Sequence, residues 1–261
     1  MSKLKNKIRR NYMKKTEKLF ELMGISVGDG CLSITKRYKE YAVLGDMTEE
    51  KEYYESHVVP LFNEIVMMPL LNKKIVGKTY PTMGVFGFLV FNPKIFNFFT
   101  NLGFKTGPKT NMKLSDIVTK AKPHLQRAFL RGLFDTDGSI FFEKNYSAKH
   151  EKHNRPKIKL GTTSKIMKEQ IKQMCSGLGI KVFDKKPHKG KRDKNIMYEL
   201  VIYRKSDIEK WIKDIGFNNP KHKTKVEIWR NLGYCPPKTD IATRKAILKG
   251  CGGGDSNSGR H

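Results

Sequence analysis

The stretch Leu130-Arg131-Gly132-Leu133-Phe134-Asp135-Thr136-Asp137-Gly138 decides the reading of this chain, because an earlier stretch repeats its spacing. The earlier one is Leu22-Met23-Gly24-Ile25-Ser26-Val27-Gly28-Asp29-Gly30. In both, Leu-x-Gly is followed at a fixed distance by Asp-Gly. A β-like run follows each, Cys31 to Thr35 and Ser139 to Phe142. The acids Asp29 and Asp137 lie 108 residues apart. An acid and a glycine repeated at one spacing suggest two similar halves in one chain.

Working outward, each half reads α-β-β-α-β-β-α, an α+β order. Thr16 caps a helix over about Glu17 to Val27, and Gly30 suits a left-handed turn at its end. Strands follow at Cys31 to Arg37 and Lys39 to Leu44. A helix opens at Thr48-Glu49-Glu50-Lys51-Glu52, with acids in its first turn. Strands at Leu71 to Lys78 and Thr82 to Phe91 precede a helix over about Lys94 to Leu102. In the second half Pro123 opens a helix ending at Asp137-Gly138. Strands come at Ser139 to Asn145 and Lys157 to Thr163, then a helix capped by Ser164. Strands at Ile180 to Phe183 and Ile196 to Tyr203 lead to a helix capped by Ser206-Asp207. Each third helix ends in Gly-Phe followed by Pro-Lys: Gly103-Phe104 with Pro108-Lys109, and Gly216-Phe217 with Pro220-Lys221. Pro220 to Tyr234 reads as one last helix. The domains are therefore a basic arm (1–15), a first half (16–104), a linker (105–122), a second half (123–235) and a basic, flexible tail (236–261). The Gly/Ser-rich end from Gly252 reads as a disordered tail or a cloning scar.

Lys+Arg number 52 against 25 Asp+Glu, a net charge of +27. An excess of that size costs self-repulsion and calls for a polyanionic partner, nucleic acid first. An acidic membrane surface would want a basic amphipathic helix or a lipidation signal, and neither is evident. No apolar run reaches the ~18 residues of a membrane span. The four cysteines, Cys31, Cys175, Cys235 and Cys251, include no Cys-x-x-Cys pair. That argues against a zinc ribbon and suits an intracellular, reducing compartment, prokaryotic cytoplasm or an organelle. His150 and His153 sit in a basic loop and read as phosphate contacts or loop residues.

One Asp-Gly after a helix is an ordinary stop signal. The pair carries more. Gly24 and Gly28 share a helix face, as do Gly132 and Thr136, and small residues at that spacing let two backbones approach. Helices packed that way bring Asp29 and Asp137 together. Each carboxylate meets the negative end of its helix, a penalty of roughly 0.3–1 kcal/mol, and the two repel. A divalent cation relieves both, and carboxylates, free carbonyls and water are oxygen ligands suited to Mg²⁺. In a basic protein, paired acids holding Mg²⁺ point to phosphodiester chemistry.

The two motifs resemble those of the LAGLIDADG homing endonucleases, in the single-chain form carrying two motifs. The second matches six of the nine letters of the family pattern and the first four, with Val27 where the pattern has its earlier acid. The resemblance implies a monomeric DNA endonuclease that cuts both strands of a long asymmetric site and leaves 3′ overhangs. Two or three divalent ions, Mg²⁺ first, would be shared by paired sites. Asp29 and Asp137 would hold them with the carbonyls of Gly28 and Thr136. Lys109 and Lys221 would assist at the scissile phosphates, and Asp46 and Thr162 would orient water. The four strands of each half would form a curved antiparallel sheet, half of a saddle over the DNA. Strand alternation then offers Ser33, Thr35, Arg37, Lys157 and Lys159 as contacts, with Lys74, Lys78, Lys181 and Lys185 from the other strand pair of each half. For any one of these a solvated charge or a turn residue is the plain alternative. Two other readings share the scaffold: an intron RNA maturase, and a non-catalytic DNA-binding regulator, against which retention of both acids argues.

Overall fold

The computed structural model describes residues 15–144, 152–191 and 194–251. The arm before Lys15, His150 and the segment from Gly252 lie outside them. Helix α1, Glu17–Gly28, starts where the Thr16 hydroxyl accepts from the Leu19 N–H at 3.2 Å. Strands β1 (Gly30–Ile34) and β2 (Lys39–Asp46) follow. Helix α2 covers 51–71, then come β3 (Lys78–Tyr80), β4 (Val85–Phe91) and α3 (Pro93–Asn101). The linker holds a short helix, α4 (Asp116–Thr119). The second half repeats the order: α5 (Pro123–Thr136), β5 (Gly138–Lys144), β6 (His153–Thr162), α6 (Lys165–Gly177), β7 (Phe183–Asp184), β8 (Tyr198–Ile202) and α7 (Lys205–Asp214). Two further helices follow, α8 (Pro220–Leu232) and α9 (Ile241–Cys251).

The sheets are antiparallel and share one topology, β1-β2-β4-β3 and β5-β6-β8-β7. Inward residues alternate with outward ones, so Leu32 in one sheet and Ile158 and Leu160 in the other lie in the core. Aromatic stacking fills the first half, with Tyr41 against Phe99 at 3.8 Å and Phe62 against Phe88 at 4.4 Å. In the second half Phe134 of α5 meets Trp211 at 4.3 Å. Among the described residues no helix is long and apolar enough to cross a membrane.

Four expectations are corrected. The strand over Leu71 to Lys78 is not one: α2 runs to Leu71, Asn72 is left-handed (φ 51°), and β3 begins at Lys78. The Asn63 side chain holds both the N–H and the carbonyl of Ile75, so that backbone is satisfied without a sheet neighbour. Helix α2 passes through Pro60 and Pro69 because a wider, π-helical turn precedes each, Tyr54–Val58 and Asn63–Met67. The left-handed turn at Gly30 is absent. Asp29 closes α1 in right-handed backbone, and a Cβ at Gly30 would stand 2.3 Å from the Ser26 carbonyl oxygen. Gly138 repeats this against Phe134, at 2.5 Å. Three strands begin later than read, at Val85, Phe183 and Tyr198, whereas β6 begins earlier, at His153. Last, the segment after Cys235 is not all tail: α9 is capped by Asp240, whose carboxylate accepts from the Thr243 N–H at 2.7 Å, and Ile247 and Leu248 pack on the core.

Candidate active site

Helices α1 and α5 meet along the small residues read from the motifs. A Cβ at Gly24 would stand 2.1 Å from the Phe129 carbonyl oxygen, and one at Gly132 would stand 2.2 Å from that of Glu21. Backbone therefore touches backbone. One turn further, a Cβ at Gly28 would overlap Thr136 Oγ1 at 2.0 Å and stand 3.5 Å from the carboxyl carbon of Asp137. That contact fixes where both helices end. Asp29 and Asp137 are the terminal caps, their N–H groups donating to Ile25 and Leu133. The Thr136 hydroxyl donates back into its own helix, and the Thr136 carbonyl, at the helix end, accepts from Lys221 instead of from a helix N–H.

Burial pushes the Asp29 carboxyl up to about 8, reinforced by the negative charges of Glu50 and Asp137. The Tyr54 hydroxyl, donating to Asp29 Oδ2 at 2.7 Å, and Lys221 oppose that shift. Asp137 is also raised by burial, with Lys109 and Lys221 pulling it down and Glu50 pushing it up. Both acids are thus held in a site where negative charge is unfavourable without a cation. The two lysines from the Pro-Lys repeats answer that charge. Lys109 Nζ donates to the Gly28 carbonyl. Lys221 Nζ donates to the Thr136 carbonyl at 3.3 Å and to Glu50.

The donor set suits a hard divalent ion: two carboxylates and two helix-end carbonyls, each carbonyl already facing an ammonium. No cluster of three His, Cys, Asp or Glu side chains with ligand spacing exists among the described residues. Carbonyls and water would therefore complete any coordination.

Asp46 and Thr162 serve turns. Asp46 Oδ1 accepts from the Thr48 and Glu49 N–H groups, each at 2.8 Å, and Thr162 Oγ1 accepts from Ser164 N at 3.1 Å. Asp135, beside the motif acid, is buried and accepts from the Asn218 N–H at 2.8 Å, a packing contact. Ser33 faces outward on β1, while Thr35 closes the β1–β2 turn by accepting from Arg37 and Tyr38 N–H groups. Lys74 lies in the loop before β3, and Lys78 is exposed at its start. Lys157 and Lys159 face out from β6 but are paired with Glu143 at 2.7 Å and Glu199 at 2.8 Å. Lys181 and Lys185 flank β7, with Lys181 over the Phe183 ring.

Glu50 is the residue the sequence hides. Read as a first-turn acid, it turns inward and is 5 % exposed. Its Oε2 accepts from the Asp46 N–H at 2.9 Å, and Oε1 accepts from the Asn219 amide at 3.2 Å as well as from Lys221. Gly45 makes the room: a Cβ there would stand 2.7 Å from Glu50 and 2.5 Å from the Tyr54 ring. Counted from Leu44-Gly45 and Leu160-Gly161, the second half has Ile166 and Gln170 where the first has Glu50 and Tyr54. That asymmetry is the signal that could have marked them.

Residues 124–216 match the LAGLIDADG-like domain family, a match confined to the second half, where the motif is fuller. Among solved structures, mesophilic variants of the homing endonuclease I-DmoI are similar with a TM-score of 0.54 at 17% identity, covering 78% of this chain and 97% of that one. I-DmoI in complex with DNA and Mn gives 0.54 at 17%, with 78% and 98% covered. A variant of I-DmoI in complex with its target DNA in the presence of Mg gives 0.52 at 17%, with 76% and 95% covered. No curated protein sequence matches. The architecture, two four-stranded antiparallel sheets joined through paired motif helices, is the two-domain LAGLIDADG fold.

Proposed function

We propose that this chain is a monomeric, Mg²⁺-dependent, site-specific DNA endonuclease that cuts both strands of a long asymmetric target and leaves 3′ overhangs. One observation carries the reading: two buried carboxylates at glycine-packed helix ends, each beside a helix carbonyl that faces a lysine ammonium. The I-DmoI complexes with DNA and with Mn or Mg support the partner and the divalent ion. Asp29, Asp137 and the carbonyls of Gly28 and Thr136 would hold the ion, which supplies Lewis-acid polarisation of the phosphate when bound. Lys109 and Lys221 stabilise charge developing on the phosphate oxygens. The outward strand residues place the duplex through phosphate contacts. Four free cysteines suit a reducing compartment.

A plasmid carrying the target, taken from the uninterrupted host-gene junction, tests this. Linear product should form with Mg²⁺ and not with a chelator. Asp29→Asn or Asp137→Asn cutting both strands at the wild-type rate overturns the assignment. Stimulated splicing of a host intron without DNA cleavage would instead favour the maturase reading.

A further inference from the structure

The two site lysines share a sequence context and differ in how they are held. Lys109 sits on a single 3₁₀ turn in the linker, and its ammonium meets the Gly28 carbonyl. Lys221 is held at its backbone and at its ammonium. Its N–H donates to the Asn219 side chain at 3.0 Å, and its ammonium lies between Glu50 and the Thr136 carbonyl. Its own carbonyl accepts from Arg244 Nη1 at 3.2 Å. Arg244 comes from α9, beyond the second αββαββα unit, and its side chain is 1 % exposed in the packing against α8. The next residue, Lys245, pairs with Glu52 of α2 at 2.6 Å, two residues after Glu50. Helix α9 therefore fastens the start of α8 and also reaches the first half.

Burying a guanidinium is costly unless its donors are used. Here Nε has no partner, and Nη1 is spent on one backbone carbonyl, that of Lys221. A side chain chosen only to fill space could be apolar at lower cost. The geometry points to Arg244 as a positioning residue for Lys221, so that cleavage of one DNA strand depends on the C-terminal helix and cleavage of the other does not. This rests on the endonuclease reading above.

The experiment uses the full chain and a target duplex whose two strands carry different labels, so that each strand's cleavage rate is read separately. Misplacing a group by about 1 Å can cost on the order of 100-fold in rate. Arg244→Ala should slow one strand about 10- to 100-fold and leave the other within about twofold. Arg244→Lys keeps a cation and most of the volume, guards against a folding failure, and should show the same bias at smaller size. Lys221→Met should slow that same strand, and adding Arg244→Ala to it should slow that strand no further. Target binding without divalent ion should be unchanged in the Arg244 variants. Equal slowing of both strands by Arg244→Lys, or no slowing by either variant, overturns the inference while the wild type still cuts. A wild-type chain that cuts neither strand overturns the endonuclease reading, and this inference falls with it.

Discussion

The two halves share a backbone plan and a central set of motif acid, helix-end carbonyl and lysine, and differ in the polar contacts around that set. Asp29 accepts from Tyr54 of α2 and lies near Glu50, the residue that caps the start of α2. The matching helix, α6, presents Ile166, which is exposed, and Gln170, whose amide is tied to the Leu114 backbone in the linker. The motif helices differ as well. Glu21 of α1 bonds Arg131 of α5 at 2.6 Å, whereas the mirror-related pair, Phe129 and Met23, is apolar and buried. The sheet faces diverge too: Arg155, Lys157 and Lys159 project outward from β6, while β2 and β4 offer Glu40, Ala42, Leu89 and Phe91 in the corresponding face. Pseudo-symmetry is therefore kept where backbone must touch backbone and in the acid and lysine at each helix end, and is lost in the side chains around them. A single chain can do this because each copy of the motif mutates alone.

The largest test breaks the comparison at its centre. Asp29→Asn and Asp137→Asn should each lower double-strand cleavage at least about 100-fold, the scale of removing an electrostatic group from a catalytic site. Tyr54→Phe touches only Asp29, so it should change the two strands' rates unequally. Strand-resolved rates from labelled duplexes check both. Equal effects of Tyr54→Phe on both strands would show the two acids to be one coupled unit.

Next in size is the interface pair that only one side possesses. Burial alone would raise the Glu21 carboxyl, but hydrogen bonds from His57 and Arg131 outweigh it and hold the group at about 2. A depressed carboxylate contributes stability that is complete above its ordinary value near 4.5 and is lost as pH falls through the folded value. Glu21→Gln should therefore cost about 3 kcal/mol near neutrality, because it leaves Arg131 without its counter-charge. The gap between wild type and variant should close as pH drops from 4.5 toward 2. Chemical denaturation at a series of pH values measures it. A gap that stays constant over that range would remove Glu21 as the source.

How much of this is legible in the sequence follows from which forces are local. Helix starts announce themselves through their caps, as at Thr16 and Ser164, and the motif glycines through spacing. The approach of α1 to α5 is legible because nothing else explains small residues on one face twice. Glu50 is not legible. Its place at a helix start is ordinary, and besides the local Asp46 N–H its inward partners are the distant Asn219 and Lys221. The false strand after Leu71 has the same cause, since Asn63 supplies from afar the hydrogen bonds a strand would have needed. Helix α9 escapes a sequence reading because its one fully buried residue is an arginine, which a hydrophobic pattern does not count.

The glycines give a third test, of about 1–3 kcal/mol, the usual cost of overpacking a core. Gly24→Ala and Gly132→Ala should lower the melting temperature by several degrees, since each new methyl meets carbonyl oxygen of the partner helix. Gly177, the last residue of α6, has an ordinary φ, and nothing lies within 4 Å of where an added methyl group would stand. Gly177→Ala should be neutral or stabilising by up to about 1 kcal/mol. Thermal melts of the three variants separate a helix contact from a general intolerance of alanine.

The smallest effect asks whether the basic face of the second half is available to DNA or already spent. Each phosphate contact contributes about −0.9 to the slope of log affinity against log salt. Lys157 and Lys159 carry that charge beside Glu143 and Glu199, so a duplex arriving at β6 must first break those pairs. Lys181 and Lys185 flank the edge strand β7, where Lys181 rests on an aromatic ring rather than on a carboxylate. Lys181→Ala and Lys185→Ala should each flatten the slope by close to the full value, and Lys157→Ala and Lys159→Ala by less. If all four flatten it equally, the glutamates move aside on binding. The charge difference between the two sheet faces would then be larger in the complex than in the free protein, and the second half would carry most of the electrostatic attraction.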